Sequence, residues 1–138
     1  MNQIKFHKDK YYKHHYIITL SNTEIGTIDF IKKNNIIIIQ YLEIYSQYKN
    51  KHYGYQIIEY LLSHYKIKCI IGETLYTSRG FWNKCIRKYN GQRKYVHYCD
   101  NCSSSFVIPK YSITNNQIYD YLEEAYWGKL YNINQSLA

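Results

Sequence analysis

The segment from Leu42 to Leu62 carries the most readable chemistry in the chain. An apolar stretch runs into a basic, polar loop that ends at Gly54 and opens an amphipathic helix. The first turn of a helix exposes unpaired N–H groups at the positive end of the macrodipole, so it can hold a pyrophosphate. Gly54 lets the backbone approach an anion closely, and Lys49 and Lys51 add charge. An ordinary basic strand-to-helix connection has the same composition, so the loop alone leaves both readings open. Glu43 is a carboxylate within the apolar stretch, and strand alternation turns it away from Leu42 and Ile44. His97 and Cys99 share a strand face, and Cys99-x-x-Cys102 is half of a zinc knuckle. No second Cys pair has suitable spacing, so a hairpin tip with free thiols is expected there and no metal. Lysines interleave with tyrosines in 8–15 and 87–95, a pattern able to stack on and clamp single-stranded nucleic acid.

These residues must be positioned by a chain of 138 residues, which suffices for one domain spanning 1–138. A 46% hydrophobic and 20% charged composition excludes a disordered chain. The 18 basic against 10 acidic residues give a formal +8, which favours anionic partners. Codon economy in an AT-rich genome, a phage's for example, accounts for the wealth of Asn, Ile, Lys and Tyr. Residues 1–15 lack the apolar core of a signal peptide, and no apolar run approaches a membrane span. A cytoplasmic protein with four reduced cysteines and no membrane partner is expected.

The first half reads as an antiparallel meander. Strands are predicted over Tyr16–Leu20, Ile25–Ile31 and Ile36–Ile44, with turns at Ser21-Asn22 and Lys33–Asn35. The Ile36–Ile44 run predicts a central strand buried on both faces. From Tyr53 to Tyr65, Ile57, Ile58, Leu61 and Leu62 form one helical stripe. Ile67–Ile71 predicts a strand reached by a parallel crossover. A second helix follows over about Gly80–Tyr89, with Gly91 as its terminating glycine. Lys94–Tyr98 and Ser105–Ile108 predict two more strands. A capping box at Thr114 opens a C-terminal helix over about 114–130.

The Leu42–Leu62 segment resembles the acetyl-CoA-binding motif of the GNAT N-acetyltransferases. There a strand ending in leucine-x-valine leads to an Arg/Gln-x-x-Gly-x-Gly/Ala loop and a helix. Leu42 and Ile44 take the strand-end positions, and Lys49 stands where Arg or Gln is usual. Asn50 and Lys51 follow, His52 replaces the first glycine, Gly54 matches the second, and Tyr53 and Tyr55 flank it. The likeness in order of elements runs from about Tyr16 to Tyr98. It implies an α+β fold with an acetyltransferase-like mixed, twisted sheet flanked by helices. The family's usual two helices between its first strands are missing, which leaves the acceptor side lean.

The resemblance implies a protein that binds acetyl-CoA and transfers its acetyl group to an amine, for instance a protein lysine or N-terminus. Backbone near Leu42 and Ile44 would polarise the thioester carbonyl, and a base or water relay would remove the amine's proton, with Glu43 the nearest carboxylate for it. His52 either opens the loop, bonds a phosphate oxygen through its imidazole, or has no role; a bonded imidazole would make binding pH-dependent. The family's Asn and general-acid Tyr correspond to Leu75 and Trp82. An indole N–H can hydrogen-bond a sulfur but delivers no proton as a phenol would. Tyr76 and Cys85 are nearby substitutes for that role. A nucleic-acid-binding module and an inactive acyltransferase fold used for interaction are the alternatives, and a homodimer stays open.

Overall fold

Paired left-handed residues set the register of the N-terminal half. Ser21 and Asn22 have φ of 49° and 70°, and Asn34 and Asn35 have φ of 51° and 65°. Two successive positive φ values make the tight turn whose twist matches a β-hairpin. In this computed structural model, residues 3–74, 79–95 and 104–110 are described. They belong to two compact units, Met1–Ile67 and Lys68–Ala138.

The first unit is an antiparallel meander with one helix. Strands β1 (Ile4–Lys8), β2 (His15–Leu20), β3 (Thr23–Lys33) and β4 (Ile36–Ile44) pair in chain order. Helix α1 spans Tyr53–His64. Ile18, Ile28, Phe30, Ile37 and Ile39 are buried on the sheet, and Ile57, Ile58 and Leu61 on the helix. Aromatic rings join the two layers: Phe6 meets Tyr60 at 4.6 Å and Phe30 meets Tyr65 at 5.6 Å between centroids. Residues 3–45 hold strands and turns and no helix, as the spacing of the first strands predicts.

Two expectations are corrected here. Strand β1 went unpredicted, although Ile4 and Phe6 alternate with Lys5 and His7 in the half-buried strand pattern. Strand β4 is buried on both faces only over Ile36 and Ile37; from Gln40 onward it is half-buried or exposed. The change coincides with a bulge, because Asp29 pairs with Tyr41 while Phe30 pairs with Ile39, leaving Gln40 unmatched. Gly26 pairs with Ile44, and a β-carbon on it would collide with the Glu43 carbonyl.

In the second unit, β5 (Cys69–Thr74) pairs antiparallel with β7 (Ser104–Pro109), and β7 with β6 (Gln92–Tyr95). Strand β6 thus begins two residues earlier than expected, and 96–98 lie outside the described residues. Helix α2 spans Arg79–Lys88. It ends in a Schellman arrangement: the Gly91 N–H donates to the Ile86 carbonyl at 2.8 Å while Asn90 takes φ 54°. Asn90, not Gly91, therefore holds the left-handed position. Gly91 is needed for close packing, since its β-carbon would sit 2.7 Å from the Val107 carbonyl oxygen. The predicted helix over 114–130 and the His97, Cys99 and Cys102 group lie outside the described residues.

Candidate functional site

The loop after β4 is built from short-range hydrogen bonds and two strained residues. A single 3-10 turn, Ser46–Tyr48, follows the strand. Its bonds run from the Tyr48 N–H to the Tyr45 carbonyl (2.8 Å) and from the Lys49 N–H to the Ser46 carbonyl (3.3 Å). Asn50 then takes φ 62°, and His52 takes φ 63°, ψ 15° as the N-cap of α1. His52 therefore keeps the left-handed backbone that glycine adopts without penalty, at a position where the resemblance expects glycine. Its ring does not cap the helix; it stacks on Tyr55 with centroids 5.8 Å apart and planes at 15°.

The start of α1 is open to an anion in electrostatic terms. No side chain caps it, and its first turn holds no acidic residue. The first intrahelical bond runs from the Gln56 N–H to the His52 carbonyl at 3.4 Å, so the amides of Tyr53 and Gly54 precede the ladder. Lys49, Asn50, Lys51 and His52 are exposed, while Tyr53, Gly54 and Tyr55 are half-buried. Gly54 has no positive φ, so its backbone conformation does not require glycine. A glycine inside a helix costs about 1 kcal/mol relative to alanine. Gly54 is the second residue of α1, where part of that cost applies.

On β4, the register puts Leu42 opposite Ile28 and Ile44 opposite Gly26, on the face that α1 covers. Glu43 and Tyr41 lie on the other face and are exposed, with the Tyr41 hydroxyl 3.5 Å from Glu43 Oε2. The alternation expected for Glu43 is therefore observed. That outer face holds polar groups the sequence reading missed. His15 Nδ1 is in contact with Asp29 Oδ1, and His7 Nε2 lies 2.9 Å from Thr19 Oγ1. The Tyr45 hydroxyl donates to Glu24 Oε2 at 2.8 Å. This bond, with burial and the Glu24 and Glu43 charges, raises the Tyr45 pKa and keeps its proton in place. His15 lay in a basic tract and Asp29 on a predicted strand face; their meeting depends on cross-strand register, which neither residue announces.

In the second unit, Trp82 is 5% exposed and stacks on Phe106 with centroids 4.5 Å apart. Phe106 in turn lies over Gly72, where a β-carbon would come within 2.5 Å of the ring. Trp82 is thus a core residue of its unit. Cys85 is fully buried, and that burial pushes its thiol up to about 12. A thiol held there is neither a ready acid nor a nucleophile at neutral pH. Tyr76 lies outside the described residues. Among the described residues no group of three His, Cys, Asp or Glu side chains could hold a metal, and no helix is long and apolar enough to cross a membrane.

No family model matches this sequence, and no curated protein matches it either. Solved structures do. An acetyltransferase from Thermus thermophilus superposes with a TM-score of 0.54 at 13% identity, over 69% of this chain and 62% of that one. The chain therefore spans less than two thirds of that relative's length. Diaminobutyrate acetyltransferase from Paenibacillus lautus, solved with L-2,4-diaminobutyric acid and coenzyme A, gives 0.56 at 11% identity over 74% of each chain. A GNAT-family acetyltransferase from Bacillus cereus gives 0.55 at 16% identity, covering 72% of each chain. Identities this low establish architecture: the α+β class with an acetyltransferase-like mixed sheet and flanking helices is as the sequence predicts. The chain has the fold of the GNAT acetyltransferases.

Proposed function

We propose that this protein binds acetyl-CoA or a related acyl-CoA and transfers the acyl group to an amine. The observation that carries the reading is the loop Lys49–Tyr55. It ends in a left-handed His52 and an uncapped helix start, on an acetyltransferase fold. In this reading the amides around Tyr53, Gly54 and Tyr55 bind the pyrophosphate, and Lys49 and Lys51 hold it from the rim. Backbone at Leu42 and Ile44 orients the thioester carbonyl. The amine nitrogen attacks that carbonyl carbon, a C–N bond forms, and the C–S bond breaks. The amine proton passes to a carboxylate or a water relay, with Glu43 the nearest candidate on β4. A CoA thiol has a pKa near the ordinary thiol range of about 8.5, so the leaving thiolate can take its proton from water.

In this reading the acceptor approaches the face of the meander opposite α1, where Glu24, Asp29 and Glu43 supply carboxylates for a cationic amine such as a lysine side chain or an N-terminus. Burial of Trp82 in the core favours one second reading, an acyl-CoA-binding fold without transferase activity. Calorimetric titration with acetyl-CoA tests the binding, and release of free CoA thiol in the presence of an amine panel tests the transfer. Binding heat with amine-dependent thiol release supports the proposal. Heat without release selects the second reading, and absence of heat at millimolar ligand defeats both.

A further inference from the structure

The hairpin loop between β1 and β2 takes no part in the proposed acyl transfer, yet it is more organised than a plain connection. Asp9 folds its carboxylate back onto the chain, accepting from the Tyr11 N–H at 2.7 Å and the Tyr12 N–H at 3.1 Å. Those two bonds hold its carboxyl below the usual aspartate value. The Asp9 N–H donates to the His15 carbonyl at 2.9 Å and closes the loop, while His14 takes φ 67° to make the return. The result turns two large rings outward. Tyr11 is 81% exposed and Tyr12 69%, the most exposed large hydrophobic side chains among the described residues.

Two adjacent exposed rings make a contiguous aromatic patch, the kind of surface that marks a contact site. Charge says what that contact would be. Lys8, Lys10 and Lys13 are exposed around the rings, and Lys10 Nζ stands 5.7 Å from the Tyr11 centroid. Asp9 is the sole acid among residues 1–23, and its oxygen is already engaged by backbone amides. We infer that this loop is a contact site for single-stranded nucleic acid, with bases stacking on Tyr11 and Tyr12 and the lysines holding the phosphates. A duplex keeps its bases stacked on one another, whereas a single strand offers open faces to protruding rings. The ordered turn means that little freedom is lost when the rings are covered.

The test is fluorescence anisotropy with a labelled oligothymidylate of about 16 nucleotides, a length within the reach of small single-strand binders. Three phosphate contacts predict a slope of log affinity against log salt of about −2. Tyr11→Ala/Tyr12→Ala should weaken binding by about tenfold or more, since each stacked base contributes at that scale. Its thermal midpoint should stay at the wild-type value because both rings are exposed. Lys10→Glu/Lys13→Glu should flatten the salt slope. An abasic strand of the same length should bind the wild type and the double-tyrosine variant alike, and more weakly than the thymidylate binds the wild type. Equal binding of thymidylate by wild type and the tyrosine variant would overturn the inference, as would equal affinity of wild type for abasic and base-bearing strands. Binding to phosphatidylserine vesicles but not to oligonucleotide would overturn it in favour of a membrane surface.

Discussion

His52 offers a backbone test that needs no ligand. At φ 63° and ψ 15° its β-carbon sits in the left-handed region, where an L-residue loses about 1–2 kcal/mol relative to its preferred basin. Replacing it by alanine keeps the β-carbon and removes the ring; replacing it by glycine removes both. Both variants lose the stack on Tyr55, so their difference isolates the backbone. Glycine gains the 1–2 kcal/mol of released strain and gives back about 0.4–1 kcal/mol through a freer unfolded chain. His52→Gly should thus be more stable than His52→Ala by about 0.5–1 kcal/mol, raising the urea midpoint by about 0.3–0.5 M for a slope near 2 kcal/mol/M. Gly54 supplies the opposite control two residues on. It is the second residue of α1 and has no positive φ, so helix propensity predicts Gly54→Ala to be the more stable, by less than the ~1 kcal/mol of a helix interior. Far-UV circular dichroism during urea titration reads all of these. An alanine at 52 as stable as glycine would refute the left-handed cap and the loop geometry built on it.

Three further outcomes are expected. Gly26→Ala drives a β-carbon into the Glu43 carbonyl and should destabilise by about 1–3 kcal/mol; a calorimetric scan with an unchanged midpoint would contradict the close pairing of β3 and β4. Trp82→Ala should lose about 3–5 kcal/mol, whereas Trp82→Phe, which keeps a ring on Phe106, should stay folded. Any amine-dependent thiol release should survive Trp82→Phe, and its complete loss in that folded variant would return the indole to the chemistry. Burial raises the Cys85 pKa from 9.0 to about 12, so above pH 9 the unfolded chain releases this proton while the folded chain keeps it. Stability then falls as pH rises from about 9 toward 12, helped by the raised Tyr60 and Tyr65. Denaturation midpoints followed from pH 7 to 11 should be flat in this respect up to about 9 and decline beyond it. Cys85→Ala should remove part of that decline.

The hydrophobic stripe of α1 and the apolar β4 run were legible because burial forces a period on the residue types. Ile57, Ile58 and Leu61 fall on one helical face and are all fully buried. The paired turns at Ser21-Asn22 and Asn34-Asn35 were legible because asparagine tolerates positive φ better than most residues. Strand β1 was missed since it offers only two apolar residues, Ile4 and Phe6, alternating with Lys5, His7 and Lys8 in a generally basic stretch. The Gln40 bulge and the His15–Asp29 contact were not legible, as both depend on which residue lies opposite which across strands. In the candidate site, residue types identified the loop from Lys49 to Tyr55. They did not show that His52 would hold a glycine-like backbone, because a left-handed conformation leaves no mark on the side chain that adopts it.

The central claim is that an acyl-CoA pyrophosphate lies on the amides of the Lys49–Tyr55 loop. Gly54→Val tests it most directly. The helical φ there accepts a branched residue, while the side chain would occupy the path of a phosphate. Isothermal titration of acetyl-CoA into wild type and Gly54→Val, with thermal unfolding to confirm that both are folded, gives the answer. A binding isotherm is expected for the wild type and none for the folded variant. A folded Gly54→Val that binds acetyl-CoA as the wild type does would contradict that claim.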